Sequence, residues 1–71
     1  MNKVGIVKLE VSHAGSMYDI TCNSLGLFLS GSDFEKLRKS IIPAIKRLWK
    51  LNHKQDVEVI PQPDNLFILI Q

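Results

Sequence analysis

The chain has 71 residues, 45% hydrophobic and 23% charged, with a net charge of +2. That balance excludes intrinsic disorder, and the length leaves room for a single domain, residues 1–71, with no linker. Cys22 is the only cysteine, which excludes an intrachain disulfide; with two histidines beside it, a structural zinc site is not expected either. No cofactor or metal is therefore expected. Domains this small usually need a staple or a partner chain, so a protein partner and self-association, as a homodimer or higher oligomer, remain as sources of stability. No apolar run approaches the ~18–20 residues that span a bilayer, and lysine interrupts Met1–Lys8 too early for a signal peptide. A cytoplasmic protein with no membrane contact is expected.

In chain order, Val4–Val11 alternates as a strand. Ser12-His13-Ala14-Gly15-Ser16 carries turn chemistry, and Met17–Cys22 alternates again, with Tyr18, Ile20 and Cys22 on one side. Asn23-Ser24 is a second turn signal, and Leu25–Ser30 a third strand. Ser32-Asp33-Phe34-Glu35 has the pattern of a capping box, with Ser32 as N-cap and Glu35 reaching back. Phe34, Leu37, Ile41, Ile45 and Leu48 then recur at helical spacing and form one apolar stripe. Pro43 lies in mid-stripe; it removes one backbone donor and predicts a kink, not a break, because the stripe runs through it in phase. Asn52-His53-Lys54-Gln55 ends the helix. Two more strands, Asp56–Ile60 and Leu66–Ile70, flank a turn whose two prolines belong to the turn or to an edge. The expected fold is α+β, in the order β-β-β-α-β-β, with one mainly antiparallel sheet on one amphipathic helix.

One helix covers one side of such a sheet. Val7, Leu9, Tyr18, Ile20, Leu27, Leu29, Val57, Val59 and Ile68 are assigned to the helix side. Val4, Ile6, Met17, Phe28, Phe67 and Leu69 then face away from it. A solvated strand face reads polar at alternate positions, whereas Leu66-Phe67-Ile68-Leu69-Ile70 is apolar on both. A few such side chains buried in a partner would contribute several kcal/mol at ~25 cal/mol per Å2. Phe28, Phe67 and Leu69, with a flank of the helix formed by Ile42 and Trp49, are the candidate partner interface. Arg38 is placed along the Trp49 indole.

Lys36, Lys39, Lys46, Arg47 and Lys50 form a basic face opposite the apolar stripe. Such a face suits phosphates or an acidic partner, but it also suits an ordinary solvated helix surface. Catalysis is not expected. His13 and His53 have no nucleophile near them in sequence, Cys22 alternates with core positions, and the carboxylates are scattered.

Tyr18–Asn52 resembles the HicB-like antitoxin domain, in its short stand-alone form. The likeness lies in an aromatic strand residue (Tyr18), a turn, the pair Gly26-Leu27 leading into a strand, and a Ser-initiated helix. That helix opens Phe34-Glu35-Lys36-Leu37 and closes with Leu-x-x-Leu-Asn at Leu48–Asn52. The resemblance implies a partial RNase-H-like fold without nuclease residues, and binding to a small RNA-cleaving toxin, often as an oligomer. Family members often add a C-terminal DNA-binding segment, which these residues do not supply, so operator binding is not expected. The expected function is thus a protein-binding inhibitor of the antitoxin type. One alternative is a phage or mobile-element inhibitor of a host defence complex, similar to anti-CRISPR proteins. Another is a nucleic-acid-binding module that uses the basic helix face.

Overall fold

A computed structural model describes residues 2–71; Met1, the first residue of the expected domain and of the segment read against a signal peptide, lies outside the described residues. Among the described residues the fold is α+β, built from six strands and one helix in the order β-β-β-β-α-β-β. The strands are β1 (Lys3–Lys8), β2 (Glu10–Ala14), β3 (Met17–Cys22), β4 (Leu27–Gly31), β5 (Glu58–Gln62) and β6 (Leu66–Ile70), and the helix is α1 (Phe34–His53).

Instead of one sheet there are two antiparallel, three-stranded ones, ordered β1-β6-β5 and β2-β3-β4. The expected first strand is therefore two strands that meet at Leu9. Alternation continues through the junction, since Val7 and Leu9 are both buried. The backbone partners differ: β1 pairs with β6, and β2 pairs with β3. Leu9 N–H extends the first ladder by donating to the Asn65 carbonyl at 2.9 Å.

The turns follow from local chemistry. Ala14 pairs with Met17, leaving Gly15-Ser16 as a two-residue hairpin loop with Gly15 at φ 60°, a conformation that glycine adopts without a Cβ clash. Ser12, His13 and Ala14, expected in the turn, instead belong to β2. The β3–β4 loop buries Leu25, which was read as strand, and closes with Gly26 at φ 71°. Between β5 and β6, Asp64 and Asn65 take left-handed conformations, which short side chains with local hydrogen-bonding capacity tolerate. Pro63 lies in that turn, while Pro61 lies inside β5, an edge strand where a missing donor costs no ladder bond.

Asp33, not Ser32, caps α1: its carboxylate accepts from Lys36 N–H at 3.2 Å, and its carbonyl from Leu37 N–H at 3.1 Å. With Phe34 as the first helical residue, only Asp33 stands where a side-chain oxygen reaches the third free donor. Glu35 turns instead to Arg38, at 3.5 Å. The helix continues through Pro43 and ends at Lys54, which is left-handed and donates to the Lys50 carbonyl at 2.8 Å. Helix α1 packs against β4 and β5.

The core joins Leu37, Ile41, Ala44 and Ile45 of the helix to Val7, Leu9, Ile20, Cys22, Leu25, Leu27, Val57, Val59 and Leu69. Leu69 is 0% exposed, which overturns its assignment to the outer surface. It pairs with Gly5 and Val59, and Ile68 pairs with Ile6 and Ile60. The facing of β6 is thus the reverse of that expected: Leu69 points to the helix side and Ile68 away from it.

Candidate functional site

The candidate interface residues separate into four environments. Ile42 and Phe67 come together, on α1 and β6, in a cleft of about 360 Å3. Phe28 stands apart on the outer face of β4 and is 65% exposed, as expected of a free surface residue. Leu69 is core, and Trp49 is partly buried on the helix side of β1.

The cleft exists because the chain divides its strands between two sheets. Leu9, Val11 and Ile20 line it from β2, β3 and the junction that precedes them, while Pro61, Gln62, Asp64, Asn65 and Phe67 line it from the β5–β6 hairpin. The first half of α1 closes it with Phe34, Arg38, Ile41 and Ile42. Its floor is apolar, since Leu9, Ile20 and Ile41 are buried. Its rim is polar, with Arg38 on one side and Asp64 and Asn65 on the other. An apolar floor with a few convergent polar groups is the usual character of a binding cleft, and the volume lies in the usual range. Behind Phe34, Tyr18 packs at 4.9 Å between ring centroids, and His13 stacks on Tyr18 at 4.1 Å. These three rings brace the start of the helix.

Trp49 is held rather than offered. Its indole N–H donates to Gln55 Oε1 at 3.0 Å, and Gln55 in turn donates to Gln71 Oε1 at 2.9 Å. His53, one turn later, stacks on the indole at 3.8 Å between centroids. A Cβ built on Gly5 would lie 2.7 Å from the edge of the Trp49 ring, so the indole lies directly on the β1 backbone. Arg38 is not its partner. Eleven residues of helix place the two about 16 Å apart along the axis, and Arg38 joins the cleft instead.

The basic face is partly neutralised. Lys46 reaches Glu58 at 3.5 Å and Lys50 reaches Asp56 at 3.1 Å. Lys36, Lys39 and Arg47 are exposed. The two ion pairs link α1 to β5 and to the segment before it. These partners are twelve and six positions apart along the chain, and they are recognisable as pairs only once the strand has folded back against the helix.

No helix among the described residues is long and apolar enough to cross a membrane. Comparison of the chain with protein-family models, curated proteins and solved structures gave no match.

Proposed function

We propose that this chain is a small, non-enzymatic protein-binding inhibitor of the antitoxin type, which acts in the cytoplasm by covering the working surface of an RNA-cleaving partner enzyme. The cleft between the two sheets carries this reading. It sets Ile42 and Phe67 against an apolar floor, with the Arg38 cation and the Asp64 carboxylate at the mouth. That is the form of a receptor for one or two apolar side chains of a partner, with opposite charges to orient them. The ribonuclease class of the partner rests on the resemblance across Tyr18–Asn52.

The test is capture from the source cell with the tagged chain, followed by a ribonuclease assay on the captured protein with and without added inhibitor. The wild-type chain is expected to capture one small ribonuclease and silence it. Ile42→Glu places a charge in the cleft on a partly buried helix position and is expected to abolish capture while far-UV circular dichroism is unchanged. Capture of a subunit of a host defence complex would replace the toxin reading with the phage-inhibitor one. A folded Ile42→Glu variant that inhibits as well as the wild type would remove the cleft from the account.

A further inference from the structure

The outer face of the β1-β6-β5 sheet, on the side away from α1, carries uncovered apolar side chains in register across all three strands. Ile6, Ile68 and Ile60 form one cross-strand row, fixed by the pairings Ile6↔Ile68 and Ile60↔Ile68. Ile6 is 56% exposed and Ile60 41%, although both are large aliphatic side chains. Along the central strand, Leu66 and Ile70 stand two positions either side of Ile68, on the same face, and both are half-buried. The five side chains make a cross-shaped patch.

The charges around the patch are not symmetric. The row through Ile70 begins with Lys3 on β1 and ends with Glu58 on β5. The row through Leu66 begins with Lys8 and ends with Gln62. One flank is thus basic and the other acidic or neutral. Lys3 and Glu58 are separated by two strand spacings, about 9.6 Å, with Ile70 between them.

We infer that this face is the interface between two copies of this chain, stacked face to face about a twofold axis parallel to β6. A rotation about that axis carries the basic flank of one copy over the acidic flank of the other. Lys3 then meets the second copy's glutamate at position 58, and the same contact occurs twice by symmetry. The isoleucine row meets its own image. The other in-plane axis, perpendicular to the strands, would set the Lys3 end of β1 against the Lys8 end of the second β1. Like charges would then oppose each other, so the charge pattern selects one of the two stackings. Two sheets packed this way cross at about 30° through their twist.

Pairing by the sheet edges is disfavoured by the same residues. The β1 edge carries Lys3 and Lys8 and an irregular register between Lys3 and Gly5, and the β5 edge carries Pro61. Lysine, bulges and proline are the features that block strand addition. Glu58 also reaches Lys46 of its own helix at 3.5 Å; its side chain is 72% exposed, so that contact is a weak surface pair that the dimer contact would have to replace. A three-stranded face is small for a dimer interface, so the association is weak, with a dissociation constant on the order of tens of micromolar. This inference does not depend on what occupies the cleft, with which the named residues of the face share only Gln62.

Sedimentation equilibrium of the full chain from about 5 to 500 µM tests it, a range set to bracket that constant. A reversible monomer–dimer equilibrium is expected. Ile6→Glu is expected to stay monomeric throughout with unchanged circular dichroism, and Ile60→Glu serves in its place if Ile6→Glu fails to fold. At low salt, Lys3→Glu and Glu58→Lys should each weaken the dimer by roughly five- to tenfold, and the combined exchange should recover most of the loss. Three results would overturn the proposal. One is a wild-type chain that stays monomeric, which would leave the face to a different partner. Another is a dimer indifferent to both isoleucine substitutions. The third is a dimer strengthened by Lys3→Glu alone, which would indicate the perpendicular axis.

Discussion

The two sheets have equal numbers of strands and share the continuous segment β1–Leu9–β2, yet their outer faces differ. On the β2-β3-β4 sheet, the outer rows are Glu10, Thr21 and Phe28, then Ser12, Asp19 and Ser30. Phe28 is a lone large side chain there, with the polar Ser12–Asp19–Ser30 row between it and Met17. That is the pattern of a solvated sheet face with scattered apolar residues. On the β1-β6-β5 sheet, apolar side chains stand in register across all three strands. The difference shows why exposure alone is a poor guide to an interface: Phe28 is more exposed than Ile6 or Ile60, but only the isoleucines have apolar neighbours in register.

The largest expected effect tests the inner against the outer face of β6. Leu69→Ala should destabilise the chain by about 3 kcal/mol, through lost burial and a residual cavity. Ile68→Ala, measured in dilute solution by urea unfolding, should cost well under half as much. Equal losses at the two positions would mean that the facing of β6 is wrong.

Gly5→Ala is expected to cost about 1–3 kcal/mol, because the added methyl meets the rigid Trp49 ring and forces it or the strand to move. In the Gly5→Ala/Trp49→Leu double variant the two losses should be less than additive, which thermal denaturation of the four-member cycle would show. The smallest effect concerns the helix start. Asp33→Ala should cost about 1 kcal/mol, while Ser32→Ala should cost a few tenths at most. The reverse order in chemical denaturation would restore the capping box read from the sequence.

Much of the fold is legible in the sequence alone. The helix announced itself through Phe34, Leu37, Ile41, Ile45 and Leu48, since a 3.6-residue period survives a proline that stays in phase with it. Met17–Cys22 was placed at its observed ends because Tyr18, Ile20 and Cys22 alternate strictly with Met17, Asp19 and Thr21. The cleft was less legible. Ile42 and Phe67 were both singled out, but as parts of separate surfaces; 25 residues apart in sequence, they meet only after the β5–β6 hairpin has folded against the helix. Arg38 was assigned to Trp49 from position on the helical circumference, which carries no information about distance along the axis.

Local pattern therefore determined the class of the fold, the helix with its apolar stripe, and most strand positions, because each of these is set by the spacing of side chains within a few residues. Tertiary structure alone decided which half of Val4–Val11 joins which sheet, since strand pairing is a choice among distant partners offering equivalent backbone groups. It also decided which face of Leu66–Ile70 is buried. A segment apolar on both sides contains no preference of its own, and the left-handed turn at Asp64 and Asn65, by fixing the register of Gln62 opposite Leu66, sends Leu69 inward and Ile68 out.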